Sequence, residues 1–415
     1  MLRNGKPYLL LAALALPLAA ASVPAGNPED AGMSADRLQR IHQAIQRHID
    51  AGEISGAVTL VARRGRIVHF EAHGLMDLES KKPMAKDAIF RLASMSKPVT
   101  SVAVMMLVEE GKIRLSDPVS KFVPEFKDAK VAMPKNTGAP AAGPPEIYTV
   151  PANRDITVRD LLTHTSGLMS SGIAQAEAAR LVQRGPEDTL ASYIPRLGRV
   201  PLDFQPGTQW AYSGGAGPDV LSRIVEIVSG QPYDEYLRTR LFEPLGMKDT
   251  FFYPADDRRL RIPTLYLKNG LKKAPNQDGY SSKFYFSGAA GLMSTAEDYL
   301  QFAQMLLNGG ALNGKRFLGP RTVELMASNQ VGDMFNGKLG RPAHGMGFGF
   351  LMAVIQDSVA AELRVSIGSF GWDGAYGTQT WIDPKERMVA IVMLQEQVAQ
   401  VQRDFENAAM QAIVD

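Results

Sequence analysis

The order of strand-like and helix-like segments along the chain constrains its fold more than any other feature. Ala35 to Asp50 carries the stripe Leu38, Ile41, Ile45, Ile49, spaced for one face of a helix, and Gly52 stops it. Gly56 to Ala62 and Ile67 to Ala72 then alternate on either side of Arg63-Arg64-Gly65-Arg66, a hairpin pattern. At the far end, Gly377 to Ile382 and Met388 to Leu394 read as strands joined by Asp383-Pro384-Lys385-Glu386, and Arg403 to Ile413 as a closing helix. Between these ends the pattern is helical: a segment from Val99 to Glu110 that is apolar all round and closed by Gly111, then Gly217 to Val228, Tyr233 to Leu241 and Thr295 to Asn308. Such an order predicts one mostly antiparallel sheet built from both ends of the chain, covered by helices, with a helical region inserted. Pro134 to Asn153, rich in Pro, Gly and Ala, reads as a long irregular segment.

Composition narrows the chemistry. None of the 415 residues is cysteine, which removes disulfides, thiolate metal sites, iron–sulfur clusters and thiol catalysis. The 45 Lys+Arg and 43 Asp+Glu leave a net charge of +2, which provides no electrostatic footing for nucleic acid. A hydrophobic content of 45% excludes wholesale disorder. Residues 1–22 read as a bacterial-type secretory signal, with Arg3 and Lys6 as the basic region, Leu9 to Leu16 as the apolar core and Ala19-Ala20-Ala21 at the cleavage region. The expected location is therefore periplasmic or secreted, and the chain without Arg3 and Lys6 is near neutral. The apolar run is shorter than the roughly 20 residues that span a bilayer, so no stable membrane span is expected after cleavage; retention as an uncleaved anchor is the alternative.

Several reactive constellations are absent. No serine lies in G-x-S-x-G, and there is no H-E-x-x-H or P-loop. The six histidines, at 42, 48, 69, 73, 164 and 344, form no ligand cluster by spacing, and His42 and His48 read as surface residues of the first helix. No metal and no organic cofactor is expected. One S-x-x-K is present, Ser94-Met95-Ser96-Lys97. At the start of a helix this spacing puts both side chains on one face, with Ser94 in the positive end of the dipole. Lys97, held in a largely apolar setting, would take the serine proton. By itself the motif reads equally as an N-cap serine beside a solvated lysine. Tyr212-Ser213-Gly214 offers a tyrosine in a turn, a general acid/base or simply a packed ring. Gly371-Trp372-Asp373-Gly374-Ala375 would let backbone approach a ligand, with the Ala375 N–H joining that of Ser94 in an oxyanion hole, or would be a plain turn.

Phe90 to Lys97, Ile156 to Leu168 (with His164-Thr165-Ser166-Gly167), Gly207 to Ser213 and Ala289 to Ala296 occur in an order that resembles the serine β-lactamase-related superfamily. That group includes class C β-lactamases, D-Ala-D-Ala carboxypeptidases and family VIII carboxylesterases, and the likeness runs over residues 28 to 410. The resemblance implies a β-lactamase/transpeptidase-like α/β (α+β) fold, an antiparallel sheet flanked by helices with a second, mostly helical region. Residues 28–125 and 290–415 would form the α/β domain and 126–289 the helical one. It implies Ser94 as the acylated nucleophile, Lys97 and Tyr212 as the proton-transfer pair, and the N–H groups of Ser94 and Ala375 as the oxyanion hole. The His164 stretch becomes a structural signature. Trp372-Asp373-Gly374 stands where β-lactamases and peptidases have Lys-Thr-Gly, and Gly214 where the tyrosine motif ends in Asn. Loss of that cation and that amide favours a neutral ester, so Trp372, Asp373, Gly374 and Gly214 are expected to shape the substrate site. The implied enzyme is a serine carboxylesterase acting on a small-molecule ester. A β-lactamase or D-Ala-D-Ala carboxypeptidase and an acyltransferase to a non-water acceptor are the alternatives. A pure binding module is disfavoured by the intact Ser94, Lys97 and Tyr212 set.

Overall fold

The computed structural model describes residues 22–135, 146–267, 271–335 and 344–415, and all of the signal read over residues 1–22 except Ser22 lies outside them. Helix α1 (Ala35–Asp50) is capped by Ser34, whose side chain accepts the Arg37 N–H. Strands β1 (Gly56–Arg63) and β2 (Arg66–Asp77) form the expected hairpin, its turn made by Arg64 and Gly65 at φ +54° and +74°. A two-residue strand, β3 (Lys82–Pro83), follows. Helix α2 (Ser96–Glu109) is buried from Ser96 to Leu107, as its all-round apolar pattern demands. Helices α3 (Ala216–Ser229) and α4 (Ala296–Leu307) come next, then strands β4 (Met346–Phe348), β5 (Ala353–Ile355), β6 (Phe370–Asp373), β7 (Gln379–Asp383) and β8 (Met388–Met393), and helix α5 (Ala399–Met410).

The strands form one antiparallel sheet in the order β4-β5-β6-β7-β8-β1-β2-β3. The two ends of the chain meet where β1 pairs with β8, Leu60 opposite Ile391. Alternation sorts these central strands into two cores. Val58, Leu60, Val389, Ile391 and Met393 pack under α2 and α4. Ala57, Val61, Ala390 and Val392 face Leu38, Ile41 and Ile45 of α1 and Val401 and Phe405 of α5. Burial on both faces leaves no exposed residue in β1.

Four features depart from the sequence reading. Strands β4, β5 and β6 were not legible; each spans three or four residues, and the first of them holds Gly347 between the flanking Gly345 and Gly349, too short a stretch for a period of two to stand out. The segment from Pro134 to Asn153 is not wholly irregular, because Lys130–Pro134 pairs with Ile147–Pro151 across it; 136–145 lie outside the described residues. His48 is buried rather than on the surface. Its Nδ1 meets Glu53 and its Nε2 lies 3.0 Å from Asp404, so a polar contact ties α1 to α5. The closing helix also starts at Ala399, four residues before the expected Arg403, and stops at Met410.

Candidate active site

Two of the sequence motifs lie side by side. Phe90–Arg91 pairs with Met293–Ser294, the Leu92 N–H donates to Leu292 O at 2.9 Å, and the Leu292 N–H donates to Ser96 Oγ at 3.1 Å. A single 3-10 turn, Ala93–Met95, then leads into α2, with Ala93 at φ +46°. That conformation is uncommon for a residue with a Cβ and typical of functional turns. It presents Ser94 ahead of the helix. The Ser94 side chain makes no capping bond, so the N-cap reading fails.

Lys97 is completely buried and is not a solvated first-turn residue. Its Nζ donates to Ser94 Oγ at 3.1 Å, Gly214 O at 2.8 Å and Ala289 O at 2.9 Å, and it lies 4.9 Å from the centre of the Tyr212 ring. The setting is less apolar than the sequence suggested: two backbone carbonyls replace the water an ammonium loses on burial. Each holds the amine aimed at the serine.

Tyr212 donates its hydroxyl to Ser94 Oγ at 2.9 Å and receives the Trp372 indole N–H at 3.4 Å. Its position comes from the Ile156 to Leu168 motif. Thr157 and Asp160 form a capping box, and Arg154 clamps Asp160 with two bonds of 2.6 and 2.9 Å. The turn that follows is bound to the turn and irregular backbone before Tyr212 by Gly207 N–H to Thr165 O at 2.8 Å and Ala211 N–H to His164 O at 3.1 Å. His164 is buried at φ +57° with its ring edge-on to Tyr212 at 4.8 Å, and neither ring nitrogen has a hydrogen-bond partner among the described residues. Burial, reinforced by the charge of Lys97, pushes its pKa well below the ordinary value. It is a neutral aromatic support, not a partner of Ser94.

Gly374 closes the other side. A Cβ there would lie 2.2 Å from Leu92 O, so only glycine lets the end of β6 approach the serine turn this closely. Ala375 is thereby brought to the same cleft of about 390 Å³ as Ser94, Tyr212, Trp372, Asp373 and Gly374. Gly214 contributes its carbonyl to Lys97. Trp372 does more than wall the cleft, since its indole also touches Tyr212.

Sequence reasoning missed Asp219, in the first turn of α3. It is buried, and it accepts from Tyr285 OH at 2.9 Å, Ser287 Oγ at 2.8 Å and the Ala289 N–H at 3.0 Å. Burial raises its pKa, while these bonds and the charge of Lys97 pull the other way. The acid therefore fixes the backbone whose carbonyl holds Lys97. An acid in the first turn of a helix was its only signal. Asp219→Ala should lower unfolding stability by about 3 kcal/mol or more, because each buried donor left unpaired costs roughly 1–3 kcal/mol. Urea unfolding followed by circular dichroism checks this; a change within error of zero would mean that water replaces the carboxylate freely.

A buried lysine and a tyrosine converging on one serine, on a helix covering an antiparallel sheet, define a serine hydrolase of the β-lactamase-like kind. A model of the Beta-lactamase family matches residues 41–414, and the chain belongs to that family. It is 36% identical over 370 residues to Protein Rv1367c of Mycobacterium tuberculosis, covering 85% of this chain and 88% of that one. It is 32% identical over 385 residues to Esterase EstB of Burkholderia gladioli, with the same coverage of 85% and 88%. Among solved structures it resembles EstCE1, a hydrolase with promiscuous acyltransferase activity, with a TM-score of 0.75 and 29% identity over 90% of this chain and 99% of that one. No helix among the described residues is long and apolar enough to cross a membrane.

Proposed function

We propose that the protein hydrolyses short-chain carboxylic esters through an acyl-enzyme on Ser94. The observation that carries this is the placement of Ser94 Oγ 3.1 Å from Lys97 Nζ and 2.9 Å from Tyr212 OH at an open cleft. Ser94 Oγ attacks the ester carbonyl carbon, and its proton passes to the Lys97–Tyr212 pair. The oxyanion is received by the N–H groups of Ser94 and Ala375. The tetrahedral adduct expels the alkoxide, which takes the proton back, and water then releases the acid by the reverse route.

The lining of the cleft supports a neutral substrate. Met346, Leu363, Trp372 and Trp381 supply apolar surface. Among the described lining residues Arg403 is the one cation, opposed by Glu362, Asp373 and Glu406. A β-lactam or a D-Ala terminus brings a carboxylate that this balance does not welcome. The names of EstB and EstCE1 point the same way. A chromogenic cephalosporin and a short p-nitrophenyl ester, assayed side by side, test the preference: kcat/KM for the ester should exceed that for the cephalosporin by about two orders of magnitude, the scale of one mispaired charge. Comparable values would sink the ester assignment.

A further inference from the structure

The face of the sheet opposite α2 carries a polar cluster that the esterase site does not use. On β2, His69, Glu71 and His73 alternate onto one face, opposite Val61, Thr59 and Ala57 of β1. Those β1 positions look toward α1 and α5, and α1 adds His42. The four polar side chains thus lie within the helix–sheet interface, beside its apolar core. His42 Nδ1 lies 3.4 Å and His73 Nε2 3.7 Å from Glu71 Oε2, and one ligand atom from each of the three residues falls within 4.8 Å of the others. The imidazole rings of His42 and His73 have centres 5.4 Å apart.

Two of the buried atoms are unsatisfied. Glu71 Oε2 and His73 Nδ1 have no hydrogen-bond partner among the described residues, and for Glu71 Oε2, the atom that faces both His42 Nδ1 and His73 Nε2, that state usually marks a missing water or ion. His73 Nε2 lies 2.9 Å from Thr59 Oγ1, and the same hydroxyl lies 2.8 Å from His69 Nε2, so an ion on His73 Nε2 replaces the Thr59 contact and leaves that hydroxyl to donate to His69. A buried imidazole, a buried carboxylate oxygen and a second imidazole on an exposed helix residue make a two-nitrogen, one-oxygen donor set. A tetrahedral zinc with bonds of about 2.0–2.1 Å places its ligand atoms about 3.4 Å apart. The 3.4 and 3.7 Å separations of His42 Nδ1 and His73 Nε2 from Glu71 Oε2 are close to that. The remaining adjustment falls to His42, whose side chain is 53% exposed and free to swing inward.

We propose that His42, Glu71 and His73 bind one divalent transition-metal ion, zinc by donor type, with water as the fourth ligand. The ion fastens α1 to β2. It lies across the sheet from α2, which carries Lys97, so its role is structural and no step of ester hydrolysis passes through it. Sequence spacing concealed the set because one ligand comes from a helix and two from a strand. The H-x-E-x-H alternation on β2 was the visible part.

The test uses the full chain without a polyhistidine tag, stripped with chelator and titrated calorimetrically with zinc chloride. One zinc per chain with micromolar or tighter affinity is expected, together with a rise in melting temperature on zinc addition. His42→Ala, at a half-exposed site, and Glu71→Gln, which keeps the shape of the side chain, should each weaken binding by about tenfold or more and abolish the thermal shift. Both variants should keep wild-type ester turnover without zinc. No saturable binding by the wild-type chain overturns the proposal. So does binding that is unchanged in both variants, which would place the ion elsewhere.

Discussion

Ser94→Ala should abolish turnover of a short p-nitrophenyl ester while leaving the protein folded. No other described hydroxyl receives both the Lys97 amine and the Tyr212 phenol, and an alanine methyl cannot form the acyl bond. The fold should survive because the Ser94 hydroxyl anchors no backbone; Lys97 keeps its bonds to Gly214 O and Ala289 O without it. Rates should fall to the background left by binding and oxyanion stabilisation alone. Labelling with a fluorophosphonate followed by intact-mass spectrometry reads the same result directly: the wild-type chain gains one adduct and the variant gains none. Wild-type turnover in Ser94→Ala, or an adduct retained there, would remove Ser94 from the mechanism.

Lys97→Ala and Tyr212→Phe should each reduce kcat/KM by about two to four orders of magnitude, or about 3–5 kcal/mol of transition-state stabilisation, the range for a positioned acid–base group. The two losses differ in kind. Tyr212→Phe keeps the ring against His164 and Trp372 and deletes only the hydroxyl, so stability should hold. Lys97→Ala empties a fully buried position and leaves the carbonyls of Gly214 and Ala289 without their donor, so a stability loss accompanies the kinetic one. Activity is therefore to be compared at equal folded fraction, measured by circular dichroism. Because the pair shares one proton, the double variant should lose far less than the product of the single losses. Full additivity would show that the two groups act in separate steps.

The contrast between Lys97 and Asp219 shows what was legible. Lys97 stands out in sequence because a catalytic spacing is local: three residues at a helix start fix the distance from Ser94 whatever the rest of the chain does. Asp219 does the supporting work at long range, through Tyr285, Ser287 and Ala289, and no local pattern links those positions. His164 is an intermediate case. Its motif was visible, but its use as a buried, neutral ring behind Tyr212 depends on Trp210 and Phe348 closing around it from distant parts of the chain.

The same division runs through the whole molecule. Periodicity and turn residues determined α1, the β1–β2 hairpin, the buried α2 and the β7–β8 pair, because each is stabilised by its own apolar face and its own glycine or proline punctuation. Motif order, through the resemblance it carries, determined the family and pointed to Ser94, Lys97 and Tyr212. Only tertiary structure decided the short strands β4 to β6, the close approach of Gly374 to Leu92, the anchoring of Lys97 by Ala289 and Asp219, and the meeting of His42 with Glu71 and His73. Strands β4 to β6 pair with near neighbours but are too short for their period to show, whereas the other three depend on contacts between residues tens to hundreds of positions apart, where burial, not local propensity, sets the geometry.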